Sequence, residues 1–208
     1  MFVWCPFLKR NQTNCLLSAT FLIRKGAAAM EFRKARAGDF PSVKNLYTEV
    51  INELDRTINY PKWVNGLYPS EPLFIGAIEK GWLFLLTDRE DVIGSVILNC
   101  FPTGEYPTIT WQRELAPEQV LNIHTFAIHP HFSGKGVGSK MIGAIKEYAK
   151  QDGYQSIRLE VFRGNDPARR LYEKNDFAFV DTVDIGDSIY RQLGIKDVNI
   201  FDLYEFVL

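Results

Sequence analysis

Ser133-Gly134-Lys135-Gly136-Val137-Gly138-Ser139 decides how this chain reads. It follows an apolar, strand-like run at residues 120–128. It opens a helix-like run at residues 138–150, where Met141, Ile142, Ile145 and Tyr148 recur at helical spacing. Glycine takes positive φ without steric cost, and the first turn of a helix carries N–H groups with no internal partner. Three alternating glycines at a helix mouth therefore let the backbone turn tightly and point several N–H groups one way. With the positive end of the helix dipole, residues Ser133, Gly134, Lys135, Gly136, Val137, Gly138 and Ser139 make an anion site suited to a phosphate or pyrophosphate.

Outward from the loop, Ile157, Leu159 and Val161 alternate in a strand over residues 155–162. Strand, loop-helix and strand make a β-α-β unit whose crossover must be right-handed and whose strands are parallel. Downstream, Asp166-Pro167 starts a helix through Lys174, and alternating strands over 177–183 and 199–207 close the chain. Upstream, residues 31–36 read as a strand. Asp39 and Pro41 start a helix whose Val43, Leu46, Tyr47, Val50, Ile51 and Leu54 share a face. Ser70 and Pro72 open a shorter helix that Gly81 stops. Strands over 82–87 and 92–100 flank the acidic turn 88–91, and residues 102–117 form a long irregular connection. The order is β α α β β β α β α β β. It implies an α+β fold, α/β in a loose sense, with a mixed sheet rather than a doubly wound one.

The 208 residues suit one domain with a short appendage, and 46% apolar content supplies a core. A net charge of −1 creates no field that would draw in nucleic acid or an anionic membrane, so neither is expected as a partner. Any anion must be held by local geometry. Cys5, Cys15 and Cys100 lack metal-type spacing and fit a reducing cytoplasm. His129 and His131 flank Pro130 with no third ligand nearby, so no metal is expected.

Residues 1–29 differ from the rest. Lys9 and Arg10 precede an apolar patch at 15–23, followed by Arg24, Lys25 and Ala27-Ala28-Ala29. That is the order of a signal peptide. Ser18 and Thr20 interrupt the patch, however, and it falls short of the roughly 20 apolar residues a bilayer span takes. Residues 1–29 read as an atypical extension and 30–208 as the domain. An export signal or a docking arm stays open for the extension.

Three segments together carry a resemblance. The glycine loop places Ser133, Gly136 and Gly138 in the frame Arg/Gln-x-x-Gly-x-Gly/Ala. Thr125-Phe126-Ala127-Ile128-His129-Pro130 precedes it, and Asn165, Ala168, Leu171-Tyr172-Glu173-Lys174 and Phe177 follow it. In these the chain resembles the GNAT superfamily of acetyl-CoA-dependent N-acetyltransferases. Ser133 departs from the family's long donor, and Lys135 is the nearby cation. The resemblance implies a mostly antiparallel sheet with helices on both faces and the parallel crossover at two splayed strands. It implies acetyl-CoA as co-substrate, with its pyrophosphate on the N–H groups of residues 133–139. Pantetheine would lie along the main chain of Phe126, Ala127 and Ile128, where the family's strand bulges. The reaction implied is direct attack by a primary amine of a small molecule or protein, with a bulge N–H polarising the thioester carbonyl. A monomer or homodimer suits it.

The candidate residues each have two readings. His124 shares a face with Asn122 and Phe126. It is either a hydrogen-bonded core histidine or, by resemblance to the arylalkylamine N-acetyltransferases, the base that drains the amine proton. Asn122 cannot replace the glutamate that many members carry near its position. Tyr172 either packs on the sheet or, by the resemblance, protonates the leaving thiolate. Asn165 either caps its helix or bonds pantetheine. His131 and Lys140 are candidates for neutralising phosphate. Tyr60, Trp63, Tyr68 and Trp111, with Glu105 and Glu114, lie in two long loops. They either lid the core or receive an amine with an apolar body.

Two other classes stay open. One is an acyl-CoA-binding sensor or partner module without turnover, which Ser133 and the missing strand glutamate keep alive. The other is a dinucleotide-binding oxidoreductase, with Glu160 near the ribose-binding position. Ser139 in place of a third glycine and the four-residue entry from His129 to Phe132 argue against it. A Walker loop is excluded, since no Gly-Lys-Ser/Thr order exists.

Overall fold

The computed structural model describes residues 20–25, 28–102, 109–184 and 199–208. Cys5, Cys15 and Glu105 lie outside the described residues, as does most of the 1–29 stretch. The elements run β1 (Phe21–Lys25), β2 (Ala28–Lys34), α1 (Phe40–Arg56), α2 (Glu71–Glu79), β3 (Leu83–Asp88) and β4 (Asp91–Asn99). There follow β5 (Val120–Ile128), α3 (Val137–Gln151), β6 (Ser156–Phe162), α4 (Asp166–Lys174), β7 (Ala178–Asp184) and β8 (Ile200–Val207). The strands form one sheet in the order β1-β2-β3-β4-β5-β6-β8-β7. Only β5 and β6 pair in parallel; the other neighbours are antiparallel. The mixed α+β sheet implied by the element order, with the mostly antiparallel pairing implied by the resemblance, is therefore the fold. One strand was not expected. Residues 21–25 pair with β2 from Phe21↔Phe32 to Lys25↔Ala28, so a patch too short to span a bilayer is long enough to extend a sheet.

Helices cover both faces. β3 shows why, since Leu83, Phe84, Leu85 and Leu86 are all buried. Strand side chains alternate in direction, so a continuous apolar run must be covered on both sides. Leu83 and Leu85 join Val43, Tyr47, Ile51, Phe74 and Ala77 from α1 and α2. Phe84 and Leu86 join Met141, Ile142, Ile145 and Ala149 from α3. The aliphatic positions that recur along α1 and α3 are thus the faces that clamp the sheet.

The start of α1 departs from the cap expected of Asp39. Its carboxylate makes no cap bond into the helix. It instead accepts two bonds from the Arg33 guanidinium, at 2.7 and 2.8 Å, and one from the Arg36 N–H at 2.7 Å. A bidentate, charge-assisted pair outcompetes a neutral cap donor. That pairing holds the Asp39 carboxyl below its ordinary pKa and ties α1 to β2.

A second polar tie holds the segment before β5. Glu205 on β8 is fully buried. One of its oxygens accepts from Ser156 Oγ at 2.7 Å and Arg158 Nε at 2.9 Å; the other accepts from the Gln112 N–H at 2.7 Å. Arg158 also donates to the Arg113 carbonyl at 2.7 Å, and its guanidinium lies 4.0 Å from the Trp111 ring centroid. Trp111 and Ile109 thereby pack beside Tyr68 and Phe162 on the small cluster of Val183, Phe201 and Leu203.

Among the described residues, no helix is long and apolar enough to cross a membrane. None of them forms a group of three or more His, Cys, Asp or Glu placed to hold a metal ion.

Removing the arginine should leave Glu205 buried without its countercharge, which costs far more than a surface pair. Arg158→Met is expected to lower unfolding free energy by about 3 kcal/mol in urea titration. A loss within about 0.5 kcal/mol, the range of ordinary surface substitutions, would show that the tie is not structural.

Candidate functional site

The glycine loop closes the N-terminal end of α3. Gly134 and Gly136 have φ of 71° and 77°, and Gly136 is the residue at the helix N-cap. Those left-handed conformations are why glycine stands there. The Ser133 N–H is occupied by the Pro130 carbonyl at 3.0 Å. Among the described residues, no backbone carbonyl in the turn takes the N–H of Gly134, Lys135 or Gly136. They add to the unpaired donors of the first helical turn. Gly138 has a different reason for being glycine. A Cβ there would stand 3.2 Å from Leu171 Cδ2, so its absence lets α3 and α4 approach. Ser139 Oγ accepts from Asn175 Nδ2 at 3.0 Å and ties the same two helices.

Beside the loop, the sheet opens. β5 and β6 pair only from Val120↔Ser156 to Ile123↔Leu159, while β5 runs on to Ile128 and β6 to Phe162. On its other side β5 carries a bulge. Ser95↔Ala127 is followed by Ile97↔His124, so one residue of β4 faces two of β5. Thr125 sits in that bulge with φ of 47°. Along β5 beyond its pairing with β6, between α1, the glycine loop and α4, lies a cleft of about 660 Å³, lined by Phe126, Ala127, Ile128, Ser133, Gly134, Gly136, Val137, Gly138, Ser139 and Asn165 among others. It adjoins a smaller chamber of about 110 Å³. The two share Pro61, Trp63, Phe126, Asn165 and Ala168.

The chamber gathers His124, Tyr172, Trp63 and Tyr68, all anticipated, with Phe162 and Phe201. Tyr172 is buried on α4, its ring 6.2 Å from that of Phe126. Burial pushes its phenol well above the ordinary range, so it is a neutral donor at every working pH. His124 Nε2 lies 3.1 Å from Asn99 Oδ1. Burial lowers its pKa to about 4, against a smaller raising effect of the Phe101 backbone. The imidazole is therefore neutral at neutral pH. Asn165 caps α4 by accepting from the Ala168 N–H at 3.3 Å, and it also lines both cavities. Tyr60 lines the larger cleft only.

Other expected residues stand apart. Lys135 is exposed outside the cleft lining, its ammonium 5.8 Å from the Phe132 ring centroid. His131 rests against His129 with ring centroids 5.0 Å apart, and Lys140 Nζ lies 4.0 Å from Met30 Sδ. Trp111 packs on Arg158 behind the chamber wall. One residue that sequence reasoning passed over in this role is Glu160, which lines the chamber. Its signal was a lone acid between Leu159 and Val161, in a strand whose alternate residues Ile157, Leu159 and Val161 are apolar.

The acetyltransferase (GNAT) family model matches residues 47–177. The chain belongs to the GNAT family.

Its curated relatives include the uncharacterized N-acetyltransferases YhfO and YycN of Bacillus subtilis. YhfO is 31% identical over 90 residues, covering 40% of this chain and 58% of YhfO. YycN is 33% identical over 67 residues, covering 32% and 43%. The chain thus spans about half the length of the curated relatives it matches. A GNAT acetyltransferase from Streptococcus agalactiae superposes with a TM-score of 0.70 over 90% of this chain and 99% of that one, at 16% identity. The protein yncA from Salmonella typhimurium, solved with its cofactor acetyl-CoA, gives 0.60 over 86% and 94% at 14% identity. At such identities the likeness is one of fold.

The depressed His124 pKa has a measurable sign. In the unfolded chain the imidazole titrates near about 6.5; in the folded chain it resists protonation until about pH 4. Its contribution to stability is therefore complete above about pH 6.5 and is lost as pH falls towards 4. NMR titration of the His124 ring should show a midpoint near pH 4, and His124→Asn should flatten the stability slope across that window. A midpoint near the ordinary value would show the ring to be solvated.

Proposed function

We propose that this chain is an acetyl-CoA-dependent N-acetyltransferase that acts on a primary amine by direct attack. The observation that supports it is the junction of the two cavities. A cleft that starts on unpaired N–H groups at a helix mouth ends, past a bulged strand, in a chamber holding a phenol, an imidazole and a carboxylate. The diphosphate of coenzyme A suits the glycine loop. Pantetheine suits the gap beside Phe126, Ala127 and Ile128, where an extended arm replaces the missing strand contact. The acetyl group then reaches Phe126 and Asn165, which border both spaces.

The acceptor enters the chamber from the side of Trp63 and Tyr68. Its nitrogen bonds to the thioester carbon, a bulge N–H stabilises the developing oxyanion, and the carbon–sulfur bond breaks with its electron pair on sulfur. Tyr172 donates a proton to that thiolate. Two groups can take the proton the amine sheds, the neutral imidazole of His124 and the carboxylate of Glu160. We assign it first to Glu160, because a carboxylate also gives the incoming ammonium a countercharge. His124 is the second acceptor. The aromatic walls and the small chamber favour an amine on a compact apolar body, supplied as a free small molecule or at the end of a protein chain.

Calorimetry with acetyl-CoA and with NAD tests the co-substrate: binding of NAD alone would overturn the reading. Thiol release with a panel of primary amines tests turnover; acetyl-CoA binding without release on any amine would point to a sensor module. Tyr172→Phe should lower kcat by about 10- to 100-fold with acetyl-CoA affinity unchanged. Glu160→Gln should cost more in kcat/KM for the amine than His124→Asn, and the reverse order would return the base role to the histidine.

A further inference from the structure

The bulge in β5 needs something to hold it. Thr125 is β-branched and sits at φ of 47°, a conformation such residues avoid. The strain persists only where the surroundings enforce it. The bulge also takes the Thr125 carbonyl out of the regular β4–β5 register, and a buried carbonyl without a partner is costly. That partner comes from across the sheet face. The Tyr47 hydroxyl of α1 donates to the Thr125 oxygen. Tyr47 is buried, its ring stacked on Phe74 at 4.4 Å and tilted against Trp63 at 5.6 Å. Trp63 itself lines both cavities.

We propose that Tyr47 is a positioning residue for acyl transfer: its phenol fixes the Thr125 carbonyl, and this sets the bulge that aims the following N–H groups at the thioester. The proposal rests on the acetyltransferase reading of the site. Tyr47 touches neither the amine nor the acetyl group. The Thr125 peptide is rigid, so holding its carbonyl on the α1 side fixes where the Phe126 N–H on the same peptide points. Burial keeps the phenol protonated, its pKa pushed up to about 12, so the donor persists throughout the working range. The ring is held by apolar packing on Phe74 and Trp63 that a phenylalanine would keep, which separates the hydroxyl's role from the core's.

The test uses the full chain with acetyl-CoA carrying a ¹³C-labelled acetyl carbonyl. In wild type, the infrared carbonyl band of bound acetyl-CoA should lie below that of free acetyl-CoA, as polarisation by an N–H requires. Tyr47→Phe should shift that band back towards the free position and lower kcat by about tenfold, with the acetyl-CoA Kd changed less than about threefold. Adding Thr125→Gly, which accepts positive φ freely, should restore much of the kcat and of the band shift. An unchanged kcat and band in Tyr47→Phe would overturn the proposal. A parallel loss of acetyl-CoA binding and kcat would overturn it too, since the hydroxyl would then be holding up the cleft as a whole. So would intact binding without rescue by the glycine. If wild type itself binds no acetyl-CoA, the functional reading falls and takes this proposal with it. If wild type binds and turns over, a failure at Tyr47 leaves that reading standing.

Discussion

The constraint behind the whole site is that β5 and β6 stop pairing after Ile123 and Leu159. A parallel pair carries a continuous ladder of main-chain bonds, and ending it inside a sheet strands backbone donors and acceptors on both edges. Buried backbone groups are almost always satisfied. Here the stranded edge borders a cleft, so a bound ligand can satisfy it. The neighbouring strands remain regular. β4 holds β5 on one side through the bulge, and β8 holds β6 through a full register from Ser156↔Val207 to Phe162↔Phe201. The opening is therefore framed by two paired edges.

Each wall of that opening is fixed by a contact from outside the sheet. α3 and α4 approach closely because Gly138 presents no Cβ to Leu171, and Asn175 bonds both Ser139 and the Leu171 carbonyl. α1 reaches β5 through Tyr47 and reaches β2 through Asp39 and Arg33. The segment before β5 is pinned to the sheet by Glu205 and Arg158. A site assembled from α1, β5, α3, β6, α4 and β8 keeps its geometry only if such ties fix their spacing. That explains why a carboxylate as costly to bury as Glu205 is retained with three donors around it.

Much of this was legible in the residues. The glycines at 134 and 136 implied positive φ, and the strands and helices around them implied a parallel crossover in a mixed sheet. Periodicity also identified the buried faces of α1 and α3. What it could not show is where polar tips end up. Tyr47 reads as a core position of α1, yet its hydroxyl finds a carbonyl 78 residues away. Asp39 has the spacing of a cap, and its partner is an arginine six residues upstream. Glu160 looked like a ribose ligand or a sheet residue, because its place in the chamber exists only once β6 has splayed from β5. Trp111 was assigned with the loop aromatics, but a stacking guanidinium holds it behind the wall. The β1 strand was hidden because polar residues interrupt its apolar patch, and only pairing to β2 defines it.

The electrostatics of the chamber follow from its burial. Desolvation disfavours whichever form of a group is charged, so it raises the Tyr172 phenol and lowers the His124 imidazole, and both stay neutral. Glu160 is the sole acidic side chain among the described residues lining the chamber, and no lysine or arginine lines it. On the proposed acyl-transfer reading, that one acid faces the incoming amine, and the two neutral groups are left to move protons.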